Sequence, residues 1–241
     1  MHHHVLTYPL SALVLTVAVF AAAAWLNQRL RAHPLANPVL LSVCVVMLVL
    51  AVTDTPYERY FEGAQFIHFL LGPATVALAV PMFRHLGRIR AALLPIMAGI
   101  VSGSAAGLVL VGILAWIFAV DPSLMASLAT RSVTAPVAMS IAPYTGAIPS
   151  LAAIMAVVAG MTGAAFGPAL LDRLGVTDPM ARGLAMGAAS HGQGTARILQ
   201  ESEEAGAAAG LAMGLTALIM ASTMPLLAKV LLPALSVGAQ L

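Results

Sequence analysis

The chain has very few charged residues, and this scarcity decides its class. Of its 241 residues, 61% are hydrophobic and only 8% are charged, and the mean hydropathy is +0.97. Soluble domains carry about 25% charged residues, so a surface that faces water throughout is excluded. In lipid, every backbone polar group needs a partner within the protein. Because Ala, Leu and Met dominate, we predict an all-α polytopic membrane protein.

Cysteine is also scarce, and the net charge is small. Cys44 is the only cysteine, which excludes a disulfide framework within the chain. A formal net charge of +2 does not suggest a nucleic-acid partner. No metal site or cofactor is expected, and the histidines of Met1–His4 are interpreted as a possible tag remnant. Residues 5–241 are predicted to form a single transmembrane domain.

The apolar residues fall into about eight segments. A spanning helix needs roughly 20 mostly apolar residues. Proline, glycine or polar residues interrupt several of them, which predicts discontinuous or re-entrant helices. Tyr57–Glu62 is too polar for a span and is predicted to be a loop or an interfacial turn. The segments run from about Tyr8–Gln28, Pro38–Val52, Ala64–Phe83, Ala91–Val120, Ser123–Ile141, Ile148–Leu171, Met180–Leu199 and Ala207–Leu232.

Arginines in the short loops indicate the orientation of the chain. Arg29 and Arg31 mark one loop, and Arg84, Arg88 and Arg90 mark another. Two predicted helices separate these loops, so both loops lie on one side. By the positive-inside rule this side is the cytoplasm. The N-terminus is therefore expected outside, in a bacterial inner membrane.

Two stretches of the chain resemble each other at a distance of about 60 residues. Thr75–Met82 is echoed by Thr134–Ile141, and the glycine-rich Gly99–Gly107 is echoed by Ala159–Gly167. Small residues at such spacing let membrane helices pack closely. Coincidence in a chain rich in alanine and glycine is one interpretation. The other is an internal repeat, inverted or not, of the kind that places a transporter's substrate site at the bilayer midplane.

Two of the polar interruptions are candidate starts of half-helices. Gly72 and Pro73 break the third segment and place Thr75 near the start of its second half; a simple proline kink is the alternative. In the fifth segment, Ser132 and Thr134 suit an N-cap, and Pro136 suits a first helical turn. A helix that starts here would direct its positive end at an anion, with Arg131 beside it. An interfacial helix start with a snorkelling arginine is the alternative.

The third interruption holds the densest group of polar side chains in an apolar segment. Gly192 and Gly194 are expected to open the helix. The group offers donors to a small oxygen-rich ligand, with Arg197 able to grip a carboxylate by two prongs and His191 able to hold a proton. A structural hydrogen bond is the alternative for His191. Adjacent Ser and His without a carboxylate do not suggest a hydrolase, so no enzyme is predicted. The candidate ligands in this group are Ser190, His191, Gln193, Thr195 and Arg197. Together with Thr75, Arg131, Ser132 and Thr134 they form the predicted substrate-binding set.

In order and spacing, four motifs resemble the CidB/LrgB family from about Tyr8 onward. The motifs are LGPATVALAVPM (71–82), RSVTAPVAM (131–139), ARGLAMG (181–187) and SHGQGTAR (190–197). The family pattern usually reads Pro-Lys-Ser-Val-Thr in the second motif, and in this chain Thr130 and Arg131 replace its Pro and Lys. It often has Ala-Ile where this chain has Gly192 and Gln193.

The resemblance implies two functions. Bacterial members are described as modulators of murein hydrolase export and autolysis, with small holin-like LrgA/CidA-type partners. Plastid relatives are glycolate/glycerate translocators, and bacterial pairs are linked to pyruvate uptake. We therefore expect a secondary transporter of small monocarboxylates, driven by protons or by exchange, that works as a homodimer by an elevator or rocking-bundle motion. A holin/antiholin-type regulator without its own substrate is the alternative.

Overall fold

Residues 9–30, 36–77 and 79–238, which the computed structural model describes, form twelve helices and no strand. Four of these helices are long and apolar enough to cross a membrane, namely Leu10–Arg29, Leu93–Ile117, Pro149–Arg173 and Glu203–Lys229. The all-α membrane class is thus confirmed, whereas the count of eight segments and the inverted repeat stay predictions. By internal contacts the chain divides into two units, Met1–Ala77 and Leu78–Leu241.

The first unit contains four helices: α1 (Pro9–Arg29), α2 (Pro38–Val52), α3 (Tyr57–Phe69) and α4 (Leu71–Ala77). Asn37 begins α2, because its side-chain oxygen accepts hydrogen bonds from the N–H groups of Val39 and Leu40, at 2.9 and 3.2 Å. The break between α3 and α4 falls at Leu70. Gly72 and Pro73 therefore lie in the first turn of α4.

The prediction that Tyr57–Glu62 forms a loop or an interfacial turn is wrong, because these residues begin α3. The Tyr57 ring stacks on Phe61 one turn later, with the centroids 5.7 Å apart. The Tyr60 hydroxyl forms a hydrogen bond with the Thr16 hydroxyl of α1 at 2.8 Å. An amphipathic helix that packs sideways on α1 thus accommodates polar residues that a spanning helix would not.

The second unit contains eight helices. Asp121 and Asp178 cap α8 and α11, since their carboxylates accept hydrogen bonds from the N–H groups of Ser123 and Ala181 at 2.8 Å. Each cap precedes a proline in the first turn, the position that suits proline. The helices are α5 (Ala79–Arg84), α6 (Leu86–Ala91), α7 (Leu93–Ile117), α8 (Pro122–Ala129), α9 (Ala135–Thr145), α10 (Pro149–Arg173), α11 (Pro179–Leu199) and α12 (Glu203–Gly238).

Helix α11 folds back on itself. Its backbone leaves helical geometry at His191, with φ 40° and ψ −129°. Arg182, near the start of α11, contacts Glu201, just beyond its end, with Nη2 2.8 Å from Oε2. A straight helix would separate the Cα atoms of these two residues by about 28 Å. Residues 179–190 and 192–199 therefore form a helical hairpin, here called the α11 hairpin, with His191 at its tip.

The α11 hairpin packs along the first part of α12. Gly183 and Gly187 lie against the backbone of Ala205 and Ala209, so the first half of α11 runs parallel to the start of α12. At the tip, a Cβ on Gly192 would lie 3.9 Å from the sulfur of Met213. Met213 is the eleventh residue of α12, about 15 Å along its axis. The tip therefore lies near the middle of the span Glu203–Lys229.

A second pair of short helices, α8 and α9, packs further along α12. Helix α8 turns back after the end of α7, and Arg131 beyond α8 reaches the carbonyl of Gly107, near the middle of α7. Helix α9 packs in one apolar cluster with Met220 and Met224 of α12 and with the first turns of α10. The α8–α9 pair and the α11 hairpin thus approach from opposite ends of α12.

Replacement of Arg182 by glutamine is expected to loosen the base of the α11 hairpin. Its guanidinium, 12% exposed, bonds both Asp172 and Glu201, at 2.7 and 2.8 Å. Hydrogen bonds to charged groups contribute about 1.5–3 kcal/mol, so a loss of about that size in the free energy of unfolding is expected. The Arg84–Glu203 pair is more exposed, at 65% and 47%, and Arg84→Gln should cost no more than about 1 kcal/mol. Thermal unfolding of both variants in detergent measures this difference, and equal melting temperatures would contradict it.

Candidate functional site

His191 occupies a strained position at the tip of the α11 hairpin. A φ of 40° lies in the left-handed region, which costs a non-glycine residue about 1–3 kcal/mol. The His191 ring is buried, and its Nε2 lies 2.9 Å from the carbonyl oxygen of Ala156 in α10. Because a carbonyl only accepts, Nε2 carries the hydrogen and donates it. This bond ties the tip to α10 and helps to hold the strained backbone.

The glycines of α10 make room for the tip. A Cβ on Gly160 would lie 2.6 Å from Cε1 of His191 and 2.9 Å from Oε1 of Gln193. A Cβ on Gly163 would overlap the hydroxyl oxygen of Ser190. The glycine-rich stretch Ala159–Gly167 thus packs closely, as predicted, and its partner is the α11 hairpin.

The turn between α8 and α9 places a cation, Arg131, near the middle of α7. Thr134 occupies the N-cap of α9 and Pro136 its first turn, although the Thr134 hydroxyl makes no capping bond. Arg131 precedes them and is partly buried. Within the described part of the chain its two terminal nitrogens make only long contacts, 3.4 Å to the carbonyl of Gly107 and 3.5 Å to that of Leu128. Most of the donor capacity of its five N–H groups is therefore unused.

A cavity of about 790 Å³ lies where the α8–α9 turn meets the α11 hairpin. Arg131 and Ser132 line it from one side, and Ser190 lines it from the hairpin tip. The two echoed glycine-rich stretches line it as well, from Gly99 to Gly107 in α7 and with Ala159 and Gly163 in α10. Such a volume falls within the range of about 300–1,000 Å³ that small-molecule sites occupy.

The electrostatics of this cavity favour an anion. Every Asp and Glu of the chain lies within the described residues, and none of them lines the cavity or comes within ion-pair distance of Arg131. The ion pairs of this unit gather instead at one end, where they join α5, α6, α10, α11 and the start of α12. Arg131 is therefore a cation without a carboxylate partner on a largely apolar wall.

The structure brings together three of the predicted ligands, Arg131, Ser132 and Ser190. The other described candidates do not line the cavity, and their role in substrate binding stays a prediction. Thr195 donates to the carbonyl of His191 at 2.8 Å, and Arg197 lies 3.5 Å from Glu201. The side chain of Thr75 lies outside the described residues. Thr134, His191, Gln193, Thr195 and Arg197 do not line the cavity.

The predicted helix breaks are placed as follows. The non-helical backbone falls on His191, one residue before Gly192. Gly194 has a different use, because a Cβ there would meet the carbonyl of Met186 in the other half of the hairpin. The breaks marked by Gly72, Pro73 and Pro136 coincide with the starts of α4 and α9.

Three further hydroxyl groups are not among the ligands predicted from the sequence. Ser104 and Thr162 line the cavity, and the Ser104 hydroxyl is buried without a hydrogen-bond partner among the described residues. Both belong to the echoed glycine-rich stretches, which the sequence presented only as packing faces. Thr216 in α12 is fully buried, and its hydroxyl also lacks a partner in the described part of the chain. Ser222 and Thr223 in the same helix bond back to a carbonyl four residues earlier, so Thr216 is the exception.

No group of three or more His, Cys, Asp or Glu side chains that suits a metal ion occurs among the described residues. The polar groups at the cavity are hydroxyls and a guanidinium. They suit an oxygen-bearing anion, since hydroxyls donate or accept and the guanidinium donates in pairs.

Comparison with known proteins places the chain in a family. The sequence profile of the LrgB-like family matches residues 16–230. An uncharacterized protein of Bacillus subtilis, YxaC, is 34% identical over 86% of this chain and 90% of its own length. The holin-like protein CidB of Staphylococcus epidermidis is 29% identical over 89% of this chain and 93% of its own length. CidB of Staphylococcus aureus is 28% identical over the same shares.

No solved structure matches the chain. The match to the family profile covers most of the sequence and includes both units. Together with the apolar helices, these matches identify a multi-pass membrane protein, and this chain belongs to the LrgB-like family.

Proposed function

We propose that the chain is a secondary transporter, or the transport subunit of one, for small organic monocarboxylates. The observation that carries this proposal is the cavity between the tip of the α11 hairpin and the α8–α9 turn, here called the two tips. The Arg131 guanidinium on its wall has no carboxylate partner. Arg131 binds the carboxylate through paired N–H groups, a geometry that arginine offers and lysine does not. Hydroxyls of Ser132, Ser190 and Ser104 then bond an oxygen on the second carbon. Glycolate, glycerate, lactate and pyruvate have this pattern of oxygens.

The arrangement of the helices supports a transport cycle. Helices α7 and α10 both line the cavity with small residues, and each is followed by a broken pair of short helices. We propose that these two sets form an inverted repeat. The echo in the sequence also pairs α7 with α10, but it matches the broken segments that precede these helices, not those that follow them. Broken helices from two repeats commonly meet at the substrate site of secondary transporters. Movement of one tip relative to the other, as in an elevator or rocking bundle, would expose the cavity alternately.

Uptake into proteoliposomes tests the proposal. The purified full chain is reconstituted, and entry of labelled glycolate, lactate and pyruvate is followed with and without an inward proton gradient. We expect saturable uptake of at least one acid, with unlabelled acid inside the vesicles accelerating entry if the protein exchanges its substrates. Protein-free liposomes supply the control. Absence of saturable uptake of all three acids under both conditions would contradict the proposal.

The names of two relatives favour a second candidate. CidB is called a holin-like protein. In this second candidate the chain regulates murein hydrolase export and works with a small LrgA/CidA-type membrane partner. Such a regulator has no need of an unpaired cation in a cavity. Co-purification with a small holin-like protein, together with the absence of carboxylate uptake, would favour this candidate. A homodimer is part of our transport proposal, since a second copy would provide a fixed scaffold for the moving tip.

A further inference from the structure

A second cavity of about 390 Å³ lies beside the first. The second half of α7 forms most of its wall, through Leu110, Val111, Leu114 and Ala115, and Phe118 just beyond the end of α7 extends it. Arg131 lines both cavities, and among the described residues it is the only polar side chain on the wall of the second. The same guanidinium therefore faces a cavity with several hydroxyls and a cavity with none.

This second cavity has the shape and chemistry of a site for an amphiphile. From Leu110 to Phe118 the helix rises by about 12 Å, which gives the apolar wall room for a hydrocarbon chain of medium length. Leu110, Leu114 and Phe118 are 52%, 44% and 72% exposed, so the cavity opens on the apolar surface of α7. A ligand with a long tail can thus enter from the bilayer.

The charge at the end of the apolar wall selects the headgroup. Arg131 has no carboxylate partner, and its contacts to the carbonyls of Gly107 and Leu128 are long. A cation without a partner in apolar surroundings is stabilised by an anion that arrives with its own apolar body. An amphiphile with a neutral or cationic headgroup would not stabilise this cation.

We infer that the second cavity binds a monocarboxylate with an unbranched hydrocarbon tail, such as octanoate. Its carboxylate binds Arg131, and its tail lies along α7 from Leu110 towards Phe118. This inference rests on the proposed function in one respect, namely that Arg131 is a carboxylate ligand. Because one guanidinium serves both cavities, the long-chain acid and a small hydroxy acid exclude each other.

Equilibrium binding of labelled octanoate to the purified full chain tests the inference without any need for transport. We expect saturable binding that Arg131→Gln weakens at least ten-fold. Each buried methylene is worth about four-fold in affinity, so hexanoate should displace the label about 16-fold less well than octanoate. Octanol and octylamine have the same tail without the carboxylate and should displace the label much less well.

A matched pair of variants locates the tail. Leu110 and Val109 are neighbours on α7 and are 52% and 61% exposed, but only Leu110 lines the second cavity. We expect Leu110→Ala to weaken octanoate binding about four-fold or more and Val109→Ala to leave it unchanged. Ala115→Phe, which fills the cavity, should abolish the preference for octanoate over hexanoate. Helix content by circular dichroism and a monodisperse elution profile confirm that each variant is folded.

The possible results separate this inference from the proposed function. The inference would be overturned if octanol displaced the label as well as octanoate does. It would also be overturned if Leu110→Ala and Val109→Ala had equal effects on octanoate binding. The proposed function would then still stand if uptake of the small acids is saturable. Octanoate binding that glycolate displaces, with Leu110→Ala weakening octanoate alone, supports both. Octanoate binding that no small acid displaces, without uptake of any small acid, supports the second cavity but contradicts the proposed function.

Discussion

Replacement of Arg131 by glutamine is expected to reduce the uptake efficiency of the small monocarboxylates about a hundred-fold or more. Hydrogen bonds to a charged group contribute about 1.5–3 kcal/mol each, and a paired bond to a carboxylate contains two of them. Each 1.4 kcal/mol corresponds to a factor of ten. Lysine keeps the charge but loses the paired geometry, so Arg131→Lys should lie between the wild type and Arg131→Gln.

Initial rates of uptake over a range of substrate concentrations measure this effect. Arg173→Gln is the matched control, since it removes the same charge from an exposed position at the end of α10 that lines neither cavity. It should leave uptake within about two-fold of the wild type, in keeping with the small effects of exposed charges. If Arg131→Gln transports as well as Arg173→Gln, Arg131 does not bind the substrate.

Gly187→Ala is expected to give the largest loss of stability among the glycine variants of the α11 hairpin. A Cβ at this position would meet the carbonyl oxygen of Ala209 and would lie 2.7 Å from its Cα. Both atoms belong to the backbone of α12, so they yield only if a helix shifts. Overpacking of this kind costs about 1–3 kcal/mol, and the higher helix propensity of alanine, about 1 kcal/mol, offsets part of it.

Gly214→Ala in α12 provides the control, because nothing lies within 4 Å of a Cβ there. Alanine at a position with helical backbone and free space usually stabilises a protein by about 0.4–1 kcal/mol. The two variants should therefore move the melting temperature of the purified protein in opposite directions. A melting temperature of Gly187→Ala at or above that of Gly214→Ala would contradict the close packing of the hairpin on α12.

The sequence predicted those features that depend on residues near one another in the chain. Asp121-Pro122 and Asp178-Pro179 lie in gaps between the predicted apolar segments, and the two aspartates cap α8 and α11. The break at the α8–α9 turn was visible because Ser132, Thr134 and Pro136 each favour a helix start. The prediction for Tyr57–Glu62 was wrong because the polarity of this stretch excludes a spanning helix but not an amphipathic helix packed on α1.

The candidate site was only partly predictable, because it depends on the fold-back of α11. In sequence, Ser190 and Arg197 belong to one polar group, and nothing distinguishes the side chain that faces a cavity from the one that meets Glu201. The hairpin turns the group around His191 and leaves only Ser190 of the polar set on the cavity wall. Glycine-rich stretches raise the same difficulty. Close packing and a cavity lining both need small residues, so the pattern alone did not reveal Ser104 and Thr162.

Protection of engineered cysteines by substrate is the most direct test of the central claim that the two tips form one carboxylate site. Cys44, the single native cysteine, is first replaced by serine. Ser132→Cys and Ser190→Cys then report on the two sides of the cavity, and Thr177→Cys in the exposed α10–α11 connector is the control. We predict that saturating glycolate slows the reaction of a water-soluble thiol reagent at 132 and 190 and leaves position 177 unchanged. Unchanged rates at both cavity positions, in protein that takes up glycolate, would contradict the account.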